Sequence, residues 1–198
     1  MVTTMTQLPE NLEFSDETIL QWDGRDYTFT DREFTHCIIK NATLANASFV
    51  GCRFLDCTFQ NCDLSNMNVT GSTWRDVIFE DSKLIGVNWT TATALKHPIW
   101  RRCALNFCNF SGLDLRKASF AACIAREAEF GHTNLAGADC QATDFAGSRF
   151  LQTNLTKADF RQAINYAIRP GDNLLKGARF SLPEATALLY GLDIVLED

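Results

Sequence analysis

No stretch of this chain approaches the roughly 18 consecutive apolar residues that a membrane-spanning helix needs. Its start, MVTTMTQLPE, has no basic segment followed by an apolar one, so a secretory signal is not expected. Basic residues are in deficit, 18 against 24 acids, for a formal charge of −6 and a pI near 5.1. That balance argues against direct binding to nucleic-acid phosphates, which calls for a clustered excess of Lys and Arg. Histidine is scarce: His36, His97 and His132 have no Cys or His at metal-binding spacing. Nothing resembles a nucleophile elbow, a phosphate-cradling glycine loop or a dinucleotide fingerprint. An enzyme, a metal site or a cofactor is therefore not expected. A cytosolic protein is, with its eight cysteines reduced.

What is present is apolar residues, 46% of 198, and a period of five. Large apolar residues stand at every fifth position from Phe29 to Trp89, thirteen in succession. The period resumes at Leu105, runs through Phe110, Phe120, Phe130, Phe145, Phe150 and Phe160, and fades at Asn165. Small residues lie two places before many centres, among them Ala42, Ala47, Cys52, Cys57, Cys62, Cys103, Cys108 and Ala118. Neither a helix, with period 3.6, nor a flat strand, with period 2, produces this pattern. Five residues with two pointing inward suit one side of a coil closed by a turn. Gly at 51, 71, 86, 112, 137 and 147, and Asn at 41, 46, 61 and 66, fall where a type II turn demands positive φ. Seven of the cysteines occupy the small inward position and Cys140 a centre, so their spacing follows the repeat and implies core packing.

Stretches such as NATLANASFVGCRFLDCTFQNCDLS and HTNLAGADCQATDFAGSRFLQTNLTKADF resemble the pentapeptide-repeat family, whose pattern is A(D/N)Lxx. The resemblance covers about residues 25–165. It implies an all-β fold: a right-handed, four-sided parallel β-helix with 20 residues per coil, built here as two stacks. Residues 20 apart should then lie one above the other, as in Phe34, Phe54 and Trp74, or Phe110, Phe130 and Phe150. The expected organisation is an N-terminal cap over 1–28, a first stack over 29–89, an interruption over 90–102, a second stack over 103–167 and a C-terminal cap over 168–198.

The interruption arises because the centres step from 89 to 105, 16 residues rather than 15. Its residues Lys96, His97, Pro98, Ile99, Trp100, Arg101 and Arg102 set an apolar pair beside a basic cluster. They form either a kink joining two stacks, with Trp100 buried, or a projecting recognition loop, and the two are compatible. At the C-terminus, Ser181 and Glu184 suggest a capping box. Leu182, Ala185, Leu188 and Leu189 fall at helical spacing, and Leu192, Ile194 and Leu196 alternate as in a strand. This segment suits a cap on the last coil, and equally an isologous homodimer contact. Residues 1–33 are acidic, with eight acids against Arg25 and Arg32.

Two segments, KLIGVNWT and ARFSLPEATALLYGLDIVLED, are similar to topoisomerase-protecting members of the family, the Qnr-type quinolone-resistance, albicidin-resistance and microcin B17 immunity proteins. This narrower resemblance implies a DNA-mimicking dimer, joined C-terminus to C-terminus, that engages DNA gyrase or topoisomerase IV. Candidate contacts are then the 96–102 segment, the acids Glu33, Asp56, Asp76, Asp139 and Asp159, and the apolar C-terminal residues named above. Arg53 and Arg75 break the first acidic column, and Arg161 accompanies the second, so no continuous phosphate-like row is expected. A repeat scaffold for another protein partner is the alternative reading.

Overall fold

The computed structural model describes residues 2–4, 12–192 and 194. The chain winds as a parallel β-solenoid of about eight turns. Each turn has four faces, and every face repeats the same local logic. The centre residue of a three-residue strand is buried while its neighbours are not, as in Glu33–Thr35, Arg53–Leu55 and Thr58–Gln60. The corner follows two residues later with positive φ. All the Gly and Asn corners anticipated above adopt it, and so do Asp56, His97, Lys117 and even Phe107. A single left-handed residue costs an L-amino acid about 1–2 kcal/mol. The corners persist because hydrogen bonds to the next coil hold their flanks, as in Asn41 N–H to Gln60 C=O at 3.0 Å.

Face one stacks Phe14, Phe34, Phe54, Trp74 and Leu95 in a five-stranded sheet, and continues through Leu115, Leu135, Leu155 and Leu175. Face two carries Ile19, Ile39, Phe59, Phe79 and Trp100, then Phe120, Cys140, Phe160 and Phe180. Face three holds Gly24, Leu44, Leu64, Leu84, Leu105, Ala125 and Phe145. Face four holds Phe29, Phe49, Val69, Trp89, Phe110, Phe130 and Phe150. These columns fill the interior with side chains. Phe34 and Phe54 stack at 4.7 Å and 2°, and Phe54 and Trp74 at 4.1 Å and 15°. Along face one the nine levels span roughly 38 Å at about 4.8 Å per coil.

Several boundaries differ from those expected. The solenoid already runs through residues 13–28, because Phe14 and Ile19 pair with Phe34 and Ile39. One level breaks the rule of sizes: the centre is Gly24 and the small position holds Trp22, which is 1% exposed. A Cβ on Gly24 would lie 2.8 Å from Leu44 Cδ2 and 2.9 Å from Phe29 Cζ, so the indole occupies the space the centre vacates. At the other end the coils continue past 167 to Arg179–Phe180, which pairs with Asp159–Phe160.

The interruption is also smaller than 90–102. The extra residue is taken up by a 3-10 turn at Trp89–Thr91, after which Ala94–Lys96 and Ile99–Arg101 are ordinary coil strands. They pair with residues 21 rather than 20 earlier, Trp74 with Leu95 and Phe79 with Trp100. The two expected stacks are one continuous column. Residues 96–102 form wall and no projecting loop, because Leu95 and Trp100 serve as core centres.

The C-terminal helix is short, a 3-10 turn at Glu184–Thr186 followed by Ala187–Tyr190. No side-chain capping bond is made there. Ser181 Oγ instead accepts the Gln162 N–H at 3.1 Å, which closes the last coil rather than the helix. Leu192 and Ile194 lie outside any strand, and Leu196 falls outside the described residues.

All eight cysteines are buried free thiols. Six of the seven inward ones donate to carbonyls of the preceding coil, as Cys57 Sγ does to Phe34 C=O at 3.3 Å, and Cys123 donates to Ala121 C=O of its own coil. Burial pushes the Cys62 thiol up to about 11 and Cys108 up to about 12.

Candidate functional site

The sequence singles out three surfaces, and the structure places each. In the 96–102 segment, Trp100 is fully buried between Phe79 and Phe120, with ring centroids 6.2 and 4.8 Å away. Pro98 is buried and Ile99 half-buried, paired with Ile78. The polar members face outward. His97 Nδ1 lies 3.0 Å from Asp76 Oδ1. Arg102 donates to both carboxylate oxygens of Asp81, at 2.7 and 2.9 Å, and reaches Glu80 at 3.1 Å. Lys96 and Arg101 are exposed. A contact surface of all seven residues is therefore excluded: Pro98 and Trp100 are buried, while Lys96, His97, Arg101, Arg102 and part of Ile99 are open to a partner.

The first acidic column divides in two, Glu33 standing on face one and Asp56 and Asp76 along the adjoining corner, with bases among them. Glu33 lies 3.5 Å from Arg53 on the same face. Along the adjoining corner His36 sits between Asp16 and Asp56, 3.6 and 3.7 Å away, and His97 follows Asp76. Asp139 and Asp159 are brought one above the other on face two. Asp159 is held by Arg161 at 2.6 Å and Arg179 at 3.6 Å, and the Arg161 hydrogen bonds hold its carboxyl below the usual carboxylate range. Asp139 accepts the side-chain amide of Gln141 at 3.1 Å. Glu33 and Asp159 are thus paired with arginines, whereas Asp56 and Asp76 face histidines and Asp139 an amide, so paired and unpaired acids alternate and form no continuous phosphate-like row.

At the C-terminal end the apolar residues divide. Leu188 packs against the core and Ala185 is half-buried. Leu182 (80%), Tyr190 (68%), Leu192, Ile194 and Leu189 are exposed together at one terminus. The helix Ala187–Tyr190, the only α-helix among the described residues, is too short to shield them.

A fourth feature lies along the corner beside face one, where the charge changes sign from Asp16, Asp56 and Asp76 to Lys117 and Lys157, with His97 between them. At the sign change a cleft of about 270 Å³ opens between coils, lined by Lys96, His97, Asp114, Arg116 and Lys117. Arg116 donates to both oxygens of Asp114, at 2.9 and 2.7 Å, which holds that carboxyl below its ordinary range. One signal for the register was legible: Leu95 and Trp100 precede Leu105 at intervals of five, so the slip lies between 89 and 95.

The described residues contain no cluster of three or more His, Cys, Asp or Glu side chains placed to hold a metal ion. No helix among them is long and apolar enough to cross a membrane.

Comparison with known proteins agrees with this architecture. No curated protein sequence matches. The family described as pentapeptide repeat region matches residues 32–106, and that described as pentapeptide repeats (8 copies) matches 101–139 and 133–164. Among solved structures, a trypsin-treated variant of QnrB1, a plasmid-mediated fluoroquinolone resistance protein, superposes with a TM-score of 0.63 at 18% identity. That match covers 94% of this chain and 90% of the other. Full-length QnrB1 gives 0.59 at 17% identity, covering 92% and 90%. The shared period, the coil geometry and the family matches across residues 32–164 establish that the chain belongs to the pentapeptide-repeat family.

Proposed function

We propose that this chain is a binding protein for a type II topoisomerase, DNA gyrase or topoisomerase IV, and protects it from a quinolone- or albicidin-type poison. The observation that carries the reading is a likeness to QnrB1 over 94% of this chain and 90% of that fluoroquinolone resistance protein. The whole rod corresponds, not a few coils. A solid solenoid acts by presenting a surface, and a rigid, periodically charged rod suits the groove that holds duplex DNA. The exposed C-terminal residues Leu182, Leu189, Tyr190, Leu192 and Ile194 are the proposed homodimer contact, because burying them removes large apolar side chains from water.

The alternative is a scaffold for another protein partner. It is favoured by one observation, the pairing of Glu33 and Asp159 with neighbouring arginines, which weakens any DNA-like potential.

The test is a gyrase supercoiling assay titrated with the purified protein, with and without ciprofloxacin or albicidin. Recovery of supercoiling in the presence of drug is expected, together with a dimer in sedimentation. Leu189→Asp is expected to give folded monomers that no longer protect. No effect on gyrase in either arm, with no binding to it, refutes the topoisomerase reading. Full protection by monomeric Leu189→Asp refutes the dimer's role.

A further inference from the structure

Neighbouring levels on face one are stitched by the same three main-chain bonds. Between Leu115 and Leu135 these are Leu115 N–H to Asn134 C=O, Lys117 N–H to Ala136 C=O and Asn134 N–H to Leu113 C=O, at 2.9, 3.1 and 2.9 Å. The set recurs between Leu135 and Leu155 and between Leu155 and Leu175. In the first half the corner bonds continue, as in His36 N–H to Leu55 C=O and Asp76 N–H to Lys96 C=O. Between Leu95 and Leu115 none of the three is made. The N–H groups of Leu95, His97 and Asp114, and the carbonyls of Thr93, Asp114 and Arg116, lose their ladder partners there. Upstream, the 3-10 turn at Trp89–Thr91 delivers the strand one residue late, and the Thr93 and Ala94 N–H groups both bond back to Ser72 C=O. The strand is thus committed to the coil before it, and the wall splits from the coil after it.

The split coincides with the basic cleft. Within it Asp114 is neutralised by Arg116 and His97 faces Asp76, while Lys96 and Lys117 form no ion pair among the described residues. Main-chain donors and acceptors left without a protein partner are open to a ligand that can pair them, and two free ammonium groups beside them favour an anion.

We propose that this seam is a docking site for an acidic segment of a partner protein, whose carboxylate is taken by Lys96 and Lys117 while its backbone meets the unpaired groups of Leu95, His97 and Arg116. Both donors and acceptors are left open in strand register, which suits an extended peptide. A phosphate could use only the donors, and its second charge would meet Asp114. The site stands independently of whether a topoisomerase is the partner.

The experiment uses the full-length protein and a fluorescein-labelled tetraglutamate peptide, followed by fluorescence anisotropy and residue-resolved amide exchange. In the free protein the amides of Leu95, His97 and Asp114 should exchange faster than those of Leu115, Lys117 and Asn134, and peptide should protect them. Lys96→Ala with Lys117→Ala should weaken binding about tenfold, as expected for loss of charge-assisted bonds. Lys157→Ala with Lys176→Ala, on the same side but outside the cleft, should leave it unchanged. Absence of peptide binding, equal loss in both double variants, or slow seam amides in the free protein each overturns the proposal. So does displacement of the peptide by equimolar inorganic phosphate, which marks a simple anion site.

Discussion

The Trp22–Gly24 exchange of sizes yields a quantitative test of how the core is filled. If the indole at the inward position occupies the space of the missing centre, the two residues must be strongly coupled. Gly24→Leu restores the usual large centre, but the first added carbon meets Leu44 Cδ2 at 2.8 Å, Phe29 Cζ at 2.9 Å and Trp22 Nε1 at 3.1 Å. Leu44 and Phe29 are themselves buried against Trp22 and the Phe49 level, so they have little room to yield. Overpacking of this kind costs about 1–3 kcal/mol, and a full leucine side chain sits at the upper end. Trp22→Ala alone empties the site and costs about 3–5 kcal/mol. The double variant has a repeat-like level, a large centre with a small inward partner, and should fall within about 2 kcal/mol of the parent. The coupling energy is then about 4 kcal/mol or more, above the about 0.5–3 kcal/mol usual for residues in contact. Urea unfolding of the four proteins, followed by circular dichroism and fitted with a common slope, closes the cycle. Additive effects, with the double variant the least stable of the set, would refute the argument that the two positions share one volume.

Three further outcomes follow from the same geometry. Phe54→Ala, which removes a fully buried ring stacked on both Phe34 and Trp74, should cost about 3–5 kcal/mol, whereas Phe107→Ala at an exposed corner should stay within about 0.5 kcal/mol; urea midpoints decide, and similar losses would contradict the column. Thiol labelling should find no rapidly reacting cysteine in the native protein and all eight in urea. Asp159, Asp114 and Asp81 are held below the carboxylate range by hydrogen bonds from Arg161, Arg116 and Arg102. Their folded values lie below their unfolded ones, so their contribution is present above about pH 4 and is lost as pH falls further. Melting temperature should therefore drop on acidification below about pH 4, and Asp159→Asn should make that drop shallower. A melting temperature unchanged down to pH 2 would contradict this.

The period of five by itself determined the fold, the inward cysteines, the stacked aromatic columns and the Gly and Asn corners. Each of these depends only on spacing along the chain: once residues 20 apart must lie at one ladder step, every centre has its neighbour assigned. The same arithmetic carried further would have placed Leu95 and Trp100 in the core and extended the coils to Phe14 and Phe180. Gly24, and the six-residue step from 89 to 95, hid that continuity. The tertiary structure alone decided what the single extra residue does. An insertion in a ladder can be absorbed on either side of the coil where it falls, and the choice depends on which strand captures Thr93 and Ala94. Their bonds to Ser72 tie the coil backward and leave the seam open toward Leu115. Charge was equally beyond the one-dimensional pattern. The columns were legible, but whether Asp56 or Asp159 stands free or is held by His36 or Arg161 depends on side-chain reach across a ladder step of about 4.8 Å, a distance that sequence spacing does not carry.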